Sequence, residues 1–287
     1  MTEWSDGYWD SADGLRLHYR DYAGRQDRPP ILCLPGLTRN ARDFEGVAER
    51  LAGAWRLIAV DLRGRAASAP AADPASYSPP VYVDDVERLI AALGLERFVL
   101  FGTSLGGLIA MILAWRDPGR IAGILLNDVG PELNPAGLER IRSYIGRQQK
   151  WSGWDEAARW LAEAHGEVYP DWAAERWPLQ ARRLCREQPD GTIGFDYDMR
   201  IAEPILAAQP DAPAFDLWPA LQVLRGVPAL LVRGGLSDLL SEEVAARMAQ
   251  EVGTLEVATV PRVGHAPTLE EPEAAAAIDR LLARVAA

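Results

Sequence analysis

Phe98-Val99-Leu100-Phe101-Gly102-Thr103-Ser104-Leu105-Gly106-Gly107 is the stretch on which the reading of this chain turns. An apolar run of strand character ends at Gly102, a serine follows two residues later, and a second pair of glycines stands behind it. Leu108 to Trp115 then reads as a buried helix. A strand, a tight turn with serine at its apex and a helix form the context in which Gly-x-Ser-x-Gly marks a nucleophile elbow. Gly102 and Gly106 are expected where a side chain would block so sharp a turn. The serine hydroxyl would then lie beside the first amides of a helix, which favour negative charge.

Outward from the elbow, apolar strands alternate with amphipathic helices. Residues 7–9 and 15–22 are expected as two strands around the turn Ala12-Asp13-Gly14. Leu15, Leu17 and Tyr19 alternate with Arg16, His18 and Arg20, the period of a half-buried strand, which puts His18 on the polar, solvent side. The wholly apolar run 31–34 is expected to be buried on both faces, as in a parallel sheet. Helices at 41–52 and 80–93, strands at 55–60 and 121–126, and a loop over 65–80 continue the alternation. It resumes after an interruption, with strands at 228–232 and 255–260 and helices at 242–251 and 272–285. This predicts an α/β fold with a mainly parallel sheet covered on both faces, and binding belongs at the carboxyl ends of its strands.

The interruption spans 131–222. It shows no convincing buried strand, and helices are expected near 136–149, 153–165, 171–187 and 216–225. Six of the ten tryptophans fall in it. The expected organisation is a core of residues 1–130 and 223–287 with a helical insertion over 131–222.

Composition bounds the function. The chain has 287 residues, 48% of them hydrophobic and 25% charged, with a formal net charge of −11. That acidity argues against nucleic acid and against anionic membrane surfaces. No run is long and apolar enough to span a bilayer, and Met1 to Asp6 lacks the features of a signal peptide, so a cytoplasmic location is expected. Cys33 sits in an apolar run and reads as a buried thiol; neither a disulfide with Cys185 nor a metal site is expected.

A serine hydroxyl needs a base, and the base needs an orienting acid. Of the three histidines, His165 reads as solvated near a helix end and His18 as a surface residue. His265, in the loop Pro261-Arg262-Val263-Gly264-His265-Ala266-Pro267, alone lies past the carboxyl end of a core strand. Two aspartates compete as the acid: Asp128 after strand 121–126 and Asp238 after strand 228–232. The chain order Ser, Asp, His fits both. Asp61, Asp84 and Asp85 read as turn or surface residues.

Taken together, Pro35-Gly36-Leu37-Thr38, Asp61-Leu62-Arg63-Gly64, the elbow, Gly234-Gly235-Leu236-Ser237-Asp238 and Gly264-His265-Ala266-Pro267 resemble the α/β-hydrolase superfamily over nearly the whole chain. The resemblance implies an α/β-hydrolase fold, with 131–222 as its helical cap. It implies Ser104 as nucleophile, His265 as base and Asp238 as orienting acid. It also implies an oxyanion hole built from the backbone N–H groups of Leu37 and Leu105. Two departures stand out. Pro35-Gly36 replaces the His-Gly of many members, and Arg63-Gly64-Arg65-Ala66 replaces their Arg-Gly-His-Gly.

The expected activity is hydrolysis of a carboxylic ester through an acyl-enzyme, with no metal and no organic cofactor. The aromatic insertion suggests a small apolar or aromatic ester-like substrate. The same triad also suits C–C cleavage next to a ketone, or a lactone or amide; a slow, ligand-binding relative is the remaining alternative. Dehalogenase and epoxide hydrolase relatives carry Asp where this chain has Ser104. The oligomeric state is left open.

Overall fold

The computed structural model describes residues 2–208 and 216–286. Its frame is an eight-stranded sheet. In chain order the elements begin β1 (Ser5–Asp10), β2 (Arg16–Tyr22), β3 (Ile31–Leu34), α1 (Glu45–Leu51), β4 (Leu57–Asp61) and α2 (Pro79–Ala92). The elbow follows as β5 (Phe98–Thr103) and α3 (Leu105–Arg116), then β6 (Ile121–Asn127). Next come α4 (Pro135–Tyr144), α5 (Trp154–His165), α6 (Arg176–Leu184), β7 (Cys185–Glu187), β8 (Ile193–Phe195), α7 (Ala202–Ala207) and α8 (Trp218–Gln222). The chain closes with β9 (Ala229–Gly234), α9 (Glu242–Val252), β10 (Leu255–Val260) and α10 (Pro272–Ala286).

The sheet order is β1-β2-β4-β3-β5-β6-β9-β10. β1 and β2 are antiparallel to their neighbours, and every pairing from β4 to β10 is parallel. Burial follows the two-residue period of a strand. Leu32, Leu34, Ile58, Val60 and Leu100 enter one apolar layer with α2, α3 and α9. Ile31, Cys33, Leu57, Ala59, Val99 and Phe101 enter the other with α1 and α10. Each Leu, Ile, Val or Phe among them contributes about 1.5–3 kcal/mol by leaving water, so the parallel strands that carry the elbow form a rigid platform.

Three expectations from the sequence need correction here. His18 is buried. It does stand on the polar side of β2, but that side is covered: Tyr8 packs against its ring and two carboxylates take its nitrogens. Asp61 and Asp85 are also buried, Asp61 against His18 and Asp85 against Arg63. The helix expected over 171–187 ends at Leu184, and Cys185–Glu187 pairs antiparallel with Ile193–Phe195 in a small hairpin.

The segment 131–222 adds no strand to the main sheet among its described residues, and 209–215 lie outside them. Four of its tryptophans enter aromatic clusters, with Tyr169 stacked on Trp172 at 4.0 Å beside Trp177, and Trp151 at 5.4 Å from Trp160. α6 ties this layer to the core: the Arg183 carbonyl accepts from Asn40 and Arg42, and the Arg183 guanidinium pairs with Glu270 at 2.6 Å. Cys33 and Cys185 are free thiols, and burial pushes Cys185 up to about 12. No helix among the described residues is long and apolar enough to cross a membrane.

Candidate active site

Ser104 has φ 51° and ψ −117°, a conformation that side chains avoid. The surrounding glycines make it possible. A Cβ on Gly102 would meet the Gly106 carbonyl oxygen at 2.5 Å, and one on Gly106 would meet the Leu34 oxygen at 2.0 Å. The helix therefore starts directly against the ends of β3 and β5. The Ser104 amide donates to the Asn127 carbonyl at the end of β6 (3.0 Å), which fixes the turn from the other side.

The loop carrying His265 starts from β10, three strands away from β5, or about 14 Å at the usual strand spacing. It has to cross the end of β9 to reach the serine. Gly234 and Gly235 allow this crossing, since a Cβ on Gly234 would lie 2.4 Å from the Gly264 oxygen. The amides of Gly235 and Leu236 donate to the carbonyls of Val260 and Val263, both at 2.8 Å. The far side of the loop is held by Tyr169, which donates to the Ala266 carbonyl (2.8 Å), and by the Asn127 amide nitrogen on the Pro267 carbonyl (2.8 Å). His265 Nε2 thereby comes within 2.9 Å of Ser104 Oγ.

His265 Nδ1 meets Asp128 Oδ2 at 2.8 Å. Asp128 is the first residue past β6 and is fully buried, with φ 54°. Its Oδ1 accepts from the Gly234 amide (2.9 Å) and its Oδ2 also from the Ser237 hydroxyl (2.6 Å). The expectation that Asp238 stands behind the histidine is not met. The turn Gly234-Gly235-Leu236 aims Ser237 at Asp128 and turns Asp238 toward α4. There Asp238 is bridged by both Nε and Nη2 of Arg140 on α4, the latter at 2.9 Å, and this pairing holds its carboxyl below the usual range. Ser237 is a site residue that the sequence reading passed over. Its signal was its place in the same glycine-rich turn.

Leu105 is the first residue of α3, so its N–H has no intrahelical acceptor. Leu37 lies in the loop after β3, beside the serine: a Cβ on Gly36 would be 3.7 Å from Ser104 Cβ. Among the described residues, neither the Leu37 nor the Leu105 amide donates to a protein acceptor.

A cluster of polar side chains stands close to these groups, with Tyr144 edge-on to His165 at 6.5 Å. Burial raises the Tyr144 phenol above its ordinary range. His165, expected to be solvated, is brought down to about 4 by burial and by the nearby Arg39 and Arg140. Arg39 pairs with Asp43 at 2.6 Å, and a Cβ on Gly36 would lie 3.3 Å from its Cγ. No group of three or more candidate metal ligands occurs among the described residues.

Fold, elbow and rim define the class, and the chain belongs to the α/β hydrolase family, whose model matches residues 31–278. A solved α/β hydrolase from Novosphingobium aromaticivorans shares 54% identity with it, at a TM-score of 0.95 over 99% of each chain. The 3-hydroxybutyrate-oligomer hydrolase of Cupriavidus necator is 37% identical over 268 residues, 90% of this chain and 89% of that one. The N-formylmaleamate deformylase of Pseudomonas putida is 27% identical over 262 residues, 89% of this chain and 88% of that one. The curated relatives are named for a hydrolase and a deformylase, which supports hydrolase activity.

Proposed function

We propose that this chain hydrolyses carboxylic esters through an acyl-enzyme on Ser104, with His265 as base and Asp128 as orienting acid. The observation that carries the reading is the continuous relay from Ser104 Oγ to His265 Nε2 (2.9 Å) and from His265 Nδ1 to Asp128 (2.8 Å). In this reading His265 takes the serine proton as Oγ attacks the carbonyl carbon. The oxyanion that forms is held by the amides of Leu105 and Leu37, each typically worth about 3 kcal/mol in the transition state. Asp128 holds the imidazole with its Nδ1 proton inward and stabilises the imidazolium. His265 then protonates the departing alcohol. Water, activated by the same imidazole, releases the acid and restores the serine. The segment 131–222 serves as the cap that shapes the acyl side of the site.

In this reading the polar cluster lines the acyl side, in place of the apolar substrate expected from tryptophan content. Arg39, Arg140, Tyr144 and His165 favour an ester that also bears a carboxylate, which would compete with Asp238 for the Arg140 fork. The Cupriavidus relative is named for oligomers of a hydroxy acid, molecules of that kind.

The test is steady-state hydrolysis of p-nitrophenyl butyrate and p-nitrophenyl hemisuccinate. Ser104→Ala is expected to lower kcat by at least about 10³-fold; undiminished turnover would sink the reading. Arg140→Gln is expected to raise KM for the hemisuccinate by about 10-fold and for the butyrate by less than about 3-fold. Equal effects would remove the carboxylate preference. Faster turnover of a lactone, an amide or a vinylogous diketone would move the reaction class and leave the relay in place.

A further inference from the structure

We propose that Arg65 is a positioning residue for the oxyanion hole: its guanidinium grips the Leu37 carbonyl and so sets the Leu37 amide beside Ser104. The proposal rests on the reading of Leu37 as an oxyanion donor. Arg65 has no exposed surface. Two of its donors converge on one oxygen, Nε at 3.0 Å and Nη2 at 2.7 Å from the Leu37 carbonyl. Nη1 donates to the Arg63 carbonyl (2.6 Å) and to the Tyr82 hydroxyl (3.0 Å), and the Tyr82 ring lies 4.9 Å from the guanidinium carbon.

Arg63, two residues earlier, provides the contrast. It is equally buried, and its fork is neutralised by Asp85 at 2.7 Å and Asp13 at 2.9 Å. That is how a buried arginine serves as a structural staple. Arg65 forms no ion pair with a carboxylate among the described residues. Burying a cation without a counter-ion is costly. Here the cost is offset by carbonyl dipoles, and the dipole gripped by two donors belongs to the residue assigned to the oxyanion. Fixing the Leu37 carbonyl fixes the plane of the peptide that follows Leu37. The Leu37 amide belongs to the preceding peptide and joins this plane through the Leu37 φ and ψ, so the grip anchors the loop at Leu37 and restrains its amide through those two rotations. The unneutralised charge also favours an anion close to this loop. Arg65 stands in the stretch where Arg-Gly-Arg-Ala departs from the Arg-Gly-His-Gly of many family members, so the device belongs to this chain's own sequence.

The experiment compares Arg65→Lys and Arg65→Met with the unaltered protein. The readouts are kcat and KM for p-nitrophenyl butyrate and the inhibition constant of phenylboronic acid, which forms a tetrahedral adduct on the serine. Both variants are expected to lose about 10²-fold in kcat with KM within about 3-fold, and boronate affinity is expected to fall in proportion to kcat. Lysine keeps the charge but not the fork, so failure of Arg65→Lys to rescue assigns the effect to positioning. Variants that fold and keep kcat and boronate affinity within about 3-fold overturn the proposal, as do variants that lose only thermal stability. If neither variant folds, Tyr82→Phe removes one of the acceptors of the guanidinium. It is then expected to weaken boronate binding by about 3-fold, and unchanged binding overturns the proposal. Leu37→Pro separates the two readings. If it leaves kcat unchanged, Leu37 is not the donor; if it lowers kcat and Arg65→Lys does not, the role of Arg65 alone falls.

Discussion

Two histidines stand on the same rim of the sheet, and each has Nδ1 against a buried aspartate. His265 reaches Asp128 at 2.8 Å and His18 reaches Asp61 at 2.6 Å. They differ at Nε2. His265 meets the hydroxyl of Ser104 (2.9 Å), whereas His18 meets the carboxylate of Asp6 (3.0 Å). A hydroxyl can give its proton to a neutral imidazole, so His265 is arranged as a base. A carboxylate on each side favours donation from both ring nitrogens, so against the cost of burial Asp61 and Asp6 raise the affinity of His18 for the proton and favour the imidazolium. A histidine–aspartate pair alone therefore does not define a catalytic site. The group on the other nitrogen decides whether the ring transfers a proton or retains one.

The comparison breaks most readily at the two aspartates. Asp128→Asn is expected to lower kcat by about 10⁴-fold, because an amide no longer holds the Nδ1 proton inward or stabilises the imidazolium. Asp61→Asn and Asp238→Asn are expected to keep kcat for p-nitrophenyl butyrate within about 10-fold. Should Asp238→Asn prove the most damaging of the three, the relay read from the structure would be wrong.

The same aspartates show how far the sequence could be read. The elbow, the order of parallel strands and the position of His265 were legible, because local patterns specify them: apolar runs, glycines at close approaches and a loop past a strand end. The choice between Asp128 and Asp238 was not. Both follow strands, and the decision depends on which way the Gly234-Gly235 turn aims its next residues. It depends too on Arg140, ninety-eight positions away, which takes Asp238. His18 was misplaced for a related reason. Alternation along β2 assigns its face correctly, but it cannot reveal that Tyr8 and Asp6 from β1 and the loop after β4 cover that face. The polar cluster was equally hidden, since Arg39, Tyr144 and His165 converge only through packing.

At His18 the expected loss is of stability rather than rate. His18→Gln leaves Asp61 buried without its cation, a defect of about 3 kcal/mol, while kcat stays within about 3-fold because the ring is remote from Ser104. Chemical denaturation checks the first and steady-state kinetics the second. A fall in kcat by orders of magnitude with unchanged stability would put His18 in the chemistry and erase the contrast with His265.

The smallest effect is in pH dependence, where His18 is expected to oppose the third histidine. The folded pKa of His18 is raised above its ordinary 6.5, so its stabilisation is fully present below 6.5 and is lost as pH rises through the raised value. Asp6 is lowered below 3.8, so its share is present above 3.8 and is lost only as pH falls through its own lowered value. The gap between the unaltered protein and His18→Gln should therefore be widest between these limits and narrow toward alkaline pH. His165 behaves in reverse. Its folded pKa is lowered from 6.5 to about 4, so below 6.5 the unfolded chain takes up a proton that the folded ring refuses. Stability is lost as pH falls across that interval, and His165→Gln should remove this loss. The expected size is about 1 kcal/mol, well short of the full shift because part of the ring meets solvent. Denaturant midpoints of the three proteins at pH 5 and pH 8 test both signs. If the two variants shift in the same direction with pH, His18 is not held as a cation by its two carboxylates, and its likeness to His265 would extend beyond geometry.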